Sequence, residues 1–318
     1  KWSSALWRVS AMTREESKRF VAQQVLYGLS RSHYIAALGW KPFEWQTQVL
    51  KSQHKRKHIL GARQSGKSTI VSSVPCHTAK YYPKSLSIIL APTEAQAIED
   101  ILKVKEFIAA DPSYPEIKRD SQDEIALDNK SRILVIPATE RSARGYSRPR
   151  TIVLDEASRI PDVVYKSGVR PMLTDNPDCE VFEISTPNGK QGFFYDSSSS
   201  NRYERYLIRS PWQVDPRNNW TLIPYMQEAE FKAEMKAKGI MAWFSPRHHN
   251  LDEQQANLES MGMQQYQQEY CCEFVEQEDM VFSYDDIEAV FNQTCRGFDD
   301  IGIETIPPVI TNLKAVNI

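Results

Sequence analysis

Residues 61 to 69 read GARQSGKST, with Gly61 and Gly66 bracketing four residues and Lys67, Ser68 and Thr69 following. This is the spacing G-x-x-x-x-G-K-[ST]. In such a loop the backbone N–H groups wrap phosphate oxygens, the lysine reaches the β and γ groups, and the hydroxyl after it sits on Mg²⁺. Gly61, Ala62, Arg63, Gln64, Ser65, Gly66, Lys67, Ser68 and Thr69 are therefore the candidate nucleotide-binding residues. Arg63 lies inside the loop, where it meets the phosphates as a second cation. The apolar KHIL before the loop reads as a strand. STIVSSVPCHTAK after it reads as a helix whose positive end faces the phosphates. The alternative, a chance glycine turn, does not account for the full match in that strand-to-helix setting.

Further down the chain, TIVLDEAS runs apolar residues into Asp155 and Glu156. An aspartate at the end of a buried strand beside a phosphate loop can hold hydrated Mg²⁺. The glutamate after it can polarise a water for attack on the γ-phosphate. Asp155 with Ser68 is thus the expected metal pair, Asp155 acting through water, and Glu156 with Lys67 is the expected catalytic pair. EISTPNGKQGFFYD is a third strand end. Ser185, Thr186, Pro187 and Asn188 form a polar turn placed to report nucleotide state. ERSARGYSRPR packs Arg141, Arg144, Arg148 and Arg150 just before the Asp-Glu strand. It reads as a DNA-facing patch, as a solvated loop, or as an arginine finger donated to a neighbouring subunit; Arg144 beside Gly145 is the choice for the finger. Gln46 can donate to and accept from adenine at once, which favours ATP. No N-K-x-D guanine signature is present, because Asn129-Lys130 is followed by Ser131-Arg132.

The elements that must position these residues alternate. A helical arm occupies about 13 to 30, opened by the capping box Thr13 with Glu16. A short helix over FEWQTQVL follows. Strands at SLSIILAP, RTIVLDEAS and CEVFEISTP alternate with helices, notably TEAQAIEDILKVKEFIAAD capped by Thr93. DEIALDNKSRILVIPA reads as two short strands about a turn at 128 to 130, and RYERYLIRS as the last strand. The pattern predicts an α/β fold, a mainly parallel sheet flanked by helices, with ligands beyond the carboxyl ends of the strands. The three candidate site segments all lie at such ends. SSSSNR (197 to 202) reads as a flexible connection, and residues 213 to 274 as a small helical subdomain.

Composition narrows the class without naming it. The 318 residues are 41% hydrophobic and 25% charged, as expected of a globular protein, with a net charge of −2. No run of eighteen apolar residues or signal-type leader is found, so neither a membrane span nor secretion is expected. The five cysteines make no C-x-x-C pair and read as reduced thiols. His248-His249 reads as a solvated pair. Residues 1 to 60 carry eleven Lys or Arg against three acids, and residues 273 to 306 carry ten acids against one Arg. Such asymmetry fits one face for a polyanion and another that avoids it, or two solvated surfaces. KSQHKRK (51 to 57) is equally a DNA surface or a solubilising loop.

Taken in order, WQ at 45 to 46, GARQSGKST, ARGYS at 143 to 147, IVLDEA at 152 to 157, STPNGKQGFFYD at 185 to 196 and QQEYCCEF at 267 to 274 resemble the large terminase subunit of tailed bacteriophages. The resemblance covers about 40 to 285. It implies a RecA-like, ASCE-type P-loop NTPase that hydrolyses ATP with Mg²⁺ to translocate double-stranded DNA into a procapsid. Gln46 would be the adenine contact, Asp155 the Walker B aspartate, Glu156 the catalytic carboxylate, 185 to 188 the coupling motif and Arg144 the trans-acting finger. A homo-oligomeric ring (a pentamer), the portal protein, a small terminase subunit and the host cytoplasm are the implied setting. The implied division is an arm over 1–40, an ATPase core over 41–212, a helical subdomain over 213–274 and a linker over 275–318. The linker would lead toward a nuclease domain whose acids cannot be assigned here, so nuclease activity is not expected of these residues. Two other readings compete. A helicase-like ATPase needs a second RecA-like lobe, for which the residues after 212 are too helical and polar. A nucleotide-gated scaffold needs no activated water and leaves Glu156 unexplained.

Overall fold

β1 (Arg56–Gly61), β2 (Leu86–Ala91), β6 (Thr151–Asp155) and β7 (Glu180–Ser185) are almost wholly buried along their length. Continuous apolar strands of this kind belong to a parallel sheet covered on both faces. The computed structural model describes residues 12–143 and 145–275. It joins these strands in a nine-stranded sheet of order β11-β8-β1-β7-β6-β2-β5-β4-β3. From β11 (Ile240–Phe244) through β8 (Glu204–Arg209) to β5 (Arg132–Pro137) every pairing is parallel. β4 (Glu124–Leu127) and β3 (Ile117–Asp120) finish the sheet antiparallel. β4 and β5 meet at the predicted turn, with Lys130 in the left-handed region at φ 68°.

Helices cover the faces. In chain order they are α1 (Arg14–Leu29), α2 (Arg31–Ala37), α3 (Glu44–Lys51), α4 (Lys67–Tyr81), α5 (Glu94–Ala109), α6 (Asp162–Val164), α7 (Arg170–Asp175) and α8 (Gly192–Ser199). A π-helical turn, Tyr165–Val169, joins α6 to α7. α9 (Glu228–Ala237), α10 (Leu251–Met261) and α11 (Met263–Glu269) follow, with the hairpin β9 (Trp212–Asp215) and β10 (Asn218–Pro224) ahead of them. α4 is the central helix: Ile70, Val71, Val74, Cys76 and Ala79 enter a core shared with Ile59, Ile89, Val153 and Ile184.

Several expectations change. The stretch 213–274 is not a helical subdomain. It carries three strands, and β11 lies beside β8 in the main sheet, so RYERYLIRS is not the last strand. All described residues fall in one compact unit. IMAWF is short and flanked by polar helical sequence, so its signal is lost among helix formers. SSSSNR is not a free connection, since its first residues complete α8 and Ser197 is 5% exposed. The capping box of α1 is as expected, with the Glu16 amide donating to Thr13 Oγ1 and the Thr13 amide to Glu16 Oε2. α1 buries no residue fully, and its Val21, Val25 and Leu29 are exposed. Among the described residues no helix is long and apolar enough to cross a membrane.

Candidate active site

The P-loop turns where β1 ends and α4 begins. Gly66 caps α4 at φ 97°, and a Cβ there would lie 2.9 Å from Gln46 Nε2. Left-handed backbone and a close neighbour together require glycine. The loop is anchored from outside: the Ala62 amide donates to Ile208 O (2.7 Å) and the Arg63 amide to Glu269 O (2.7 Å). The amides of Gly66, Lys67 and Ser68 are left without an acceptor among the described residues. They start α4, where partial positive charge collects. Lys67, 8% exposed, donates to Gly61 O (2.8 Å) and Ala62 O (2.9 Å). Thr69 lies in the first turn of α4, its amide on Gly66 O.

Asp155 ends β6, buried, its Oδ2 accepting from Gln96 Nε2 at 3.1 Å. Burial raises its pKa, and the neighbouring Glu156 adds to the rise. Behind it Asp100 on α5 is fully buried, and neither of its carboxylate oxygens has a hydrogen-bond partner. Burial first and Asp155 second raise the Asp100 pKa, while Lys103 at 3.5 Å opposes them. Glu156 stands in the left-handed region at φ 43°, an uncommon backbone state for a glutamate and one that clusters at active sites. Its Oε2 accepts from Ser185 Oγ at 3.1 Å, and Ser185 Oγ also meets Ser158 Oγ at 2.7 Å. The end of β7 thus reaches Glu156 directly. Thr186 is buried at the cavity wall, Pro187 is buried, and Asn188 Nδ2 lies 3.5 Å from Ser158 O.

These groups enclose a cavity of about 550 Å³, whose lining includes Arg63, Gln64, Lys67, Ser68, Asp155 and Glu156. Sequence reasoning missed five members: Gln96, Lys103, Arg159, Arg247 and Glu269. Gln96 and Lys103 lie on the helix that directly follows a sheet strand, where the switch-point rule would have placed them. Arg247 follows β11 and its Nη1 reaches Gln64 O at 3.5 Å. It comes from the segment FSPRHHN, which offered no motif.

Gln46 is 2% exposed, its Oε1 accepts from Phe43 N (2.7 Å) and its Nε2 donates to Gly66 O (2.8 Å). Its amide holds the P-loop in this arrangement and Gln46 is not among the cavity-lining residues, so its adenine contact stands as a proposal. His248 is not solvated. It is buried edge-on to Tyr270, and burial lowers its pKa to about 4. KSQHKRK is not one surface, because Lys57 is fully buried against Glu180. Arg144, the segment after 275 and Cys295 lie outside the described residues. Cys76, Cys179, Cys271 and Cys272 are free and buried.

The residues fit a nucleotide with Mg²⁺. Hard oxygen donors, Ser68 and Asp155, face one cavity, and a divalent cation there would favour the ionised form of Asp155 that burial disfavours. Among the described residues no group of three or more His, Cys, Asp or Glu could hold a metal by itself. Magnesium commonly takes one or two carboxylates and completes its shell with phosphates and water.

Sheet order, P-loop and strand-end carboxylates together define an ASCE-type P-loop NTPase. The family described as "Terminase large subunit, T4likevirus-type, N-terminal" matches residues 58–289, and the chain belongs to it. The large terminase subunit of Thermus virus P23-45 is 28% identical over 182 residues, 51% of this chain and 37% of that protein. The chain therefore spans well under half the length of this relative. The large terminase ATPase domain of Thermus phage P74-26 superposes with a TM-score of 0.52 at 21% identity, over 75% of this chain and 96% of that one. The large terminase of bacteriophage HK97 gives 0.50 at 12% identity, over 72% and 50%. At these identities the structures speak for the fold.

Proposed function

We propose that the chain is the ATP-hydrolysing motor unit of a DNA-packaging terminase. The observation that carries this reading is Glu156, strained at the end of β6, held by Ser185 and facing the same cavity as Lys67. The amides that open α4 and Lys67 bind the β and γ phosphates, with Arg63, Arg159 and Arg247 adding positive charge around them. Glu156 accepts a hydrogen bond from the attacking water and aligns it with the γ-phosphorus. Ser68 and Asp155 would hold Mg²⁺, Asp155 through water, and bound Mg²⁺ supplies charge neutralisation on the phosphates. Ser185 senses whether Glu156 is engaged, and the turn through Asn188 passes that state to α8.

Family membership supports the rest of the proposal. The substrate moved is double-stranded DNA, the working form is a homo-oligomeric ring docked on a portal protein, and a small terminase subunit recruits the DNA. The setting is the host cytoplasm. Arg144 completes a neighbouring subunit's site. The test is phosphate release from Mg-ATP by the chain and by Glu156→Gln and Lys67→Ala. Glu156→Gln is expected to retain nucleotide binding and lose turnover about 10²- to 10⁴-fold. Unchanged turnover in Glu156→Gln would falsify the assignment.

A further inference from the structure

A second cavity, about 500 Å³, opens where β1 begins, and its wall includes Arg56, Lys166, Arg170 and Arg202 with Asp196 as the single acid. Arg56 starts the strand that Gly61 ends, which sets this cavity about 17 Å along the sheet from the P-loop. Two of the four cations are committed: Lys166 pairs with Asp162 at 2.8 Å, and Arg56 donates to Cys179 O at 2.6 Å. Arg170 and Arg202 have no side-chain partner among the described residues, and both are exposed at the rim.

The floor is stiff. Tyr165 stacks on Phe193 with centroids 4.1 Å apart and planes 3° apart. The phenols point inward as a chain, Tyr165 to Tyr203 at 3.0 Å and Tyr203 donating to the buried Glu183 at 2.7 Å. They are spent on the protein, so a ligand is met mainly by the guanidinium forks. The wall also contains the π-helical turn Tyr165–Val169, an arrangement found disproportionately at functional sites.

The two walls continue the two segments that face the nucleotide. After Glu156 the chain passes through Ala157–Arg159 and α6 to the π turn and α7. After Asn188 it enters α8. Asp162 ties them together, its Oδ1 accepting from the Phe193 amide at 2.7 Å.

We propose that this cavity grips the sugar-phosphate backbone of nucleic acid, with Arg170 and Arg202 as the anchoring cations. Planar guanidinium groups match phosphate oxygens two at a time, and their place at the rim suits a phosphate presented by an extended ligand. The inference rests on the reading of the chain as a DNA motor and names the site at which that motor would hold its substrate.

The test is the affinity of a labelled short DNA duplex, read by fluorescence anisotropy across a salt series without nucleotide. Arg170→Ala/Arg202→Ala is compared with Arg14→Ala/Lys18→Ala on α1. The first pair is expected to weaken binding on the order of tenfold and to lower the salt slope by about 2, and the second to leave both near wild type. DNA-free ATP turnover and melting temperature should match wild type in both. Duplex binding unaltered by the first pair overturns the proposal. So does loss of inorganic phosphate binding by calorimetry, or of polyglutamate binding, with duplex affinity intact, since the cavity then serves a free phosphate or an acidic protein segment. Normal turnover in Glu156→Gln, by contrast, removes the motor reading and leaves duplex binding at this cavity as measured.

Discussion

Glu156 and Gly66 show how single residues carry the site. Glu156 occupies a left-handed backbone state that a glycine would adopt more easily. Glu156→Gly is therefore expected to raise the melting temperature slightly or leave it unchanged while abolishing turnover, which separates its chemistry from its cost to the fold. Gly66→Ala does the reverse to the backbone, forcing a Cβ at φ 97° against the Gln46 amide. It should cost about 1–3 kcal/mol by denaturant titration and weaken ATP binding, because the P-loop must shift. Gln46→Leu tests whether that amide acts by holding the P-loop: with Gly66 O and Phe43 N unpaired, stability should fall by about 1–3 kcal/mol, and ATP and GTP binding should weaken alike. The P-loop and the Asp-Glu pair are legible in the sequence because each is a contiguous run whose spacing is its geometry. Gln46 is legible only as a residue type. Which partner an amide chooses depends on Phe43 and Gly66, which the fold brings together.

At the scale of elements, the arm and the core are joined at α4 and at the start of β7. His77 Nε2 meets Tyr27 O at 2.8 Å, and Arg31 pairs with Glu180, which in turn compensates the fully buried Lys57. Burial lowers His77 to about 3, as it lowers His248 to about 4. For a base depressed in the folded state, the unfolded chain binds the proton first. Stability is therefore complete above about pH 6.5 and is lost as pH falls toward 4. Melting temperatures should drop across that window, and His248→Gln should flatten part of the slope. Glu180→Gln is expected to cost about 3–5 kcal/mol, since it removes the carboxylate that compensates Lys57, whose pKa burial already lowers to about 8. β11 was hidden in the sequence because five residues between polar helices carry too short a period to read. Arg247 was hidden with it, and its contribution to the cavity exists only once β11 has paired with β8.

For the whole molecule the open question is where one site ends and the next begins. The cavity residues described here all come from one chain, whereas Arg144 is proposed to act on a neighbour. Turnover per chain is expected to rise with protein concentration and to lose that rise in Arg144→Ala. A rate flat with concentration and indifferent to Arg144 would place the whole site within one chain. The mainly parallel α/β architecture was readable from alternating strands and helices. The strand order was not, because nothing in β1 says that its neighbours are β7 and β8.

That order has a consequence for how the protein is made. Ile59 pairs with Ile184 on one side and Tyr206 on the other. The strand that carries the phosphate loop leaves the ribosome before any other strand of the sheet, yet both its neighbours are synthesised well over a hundred residues later. Until then a buried apolar strand waits without partners, the situation in which nascent chains aggregate or engage chaperones. The loop also needs Glu269 O for its Arg63 amide, so the nucleotide pocket is among the last features to be completed. A nascent chain halted before residue 204 would carry the whole phosphate-binding motif and hold no nucleotide.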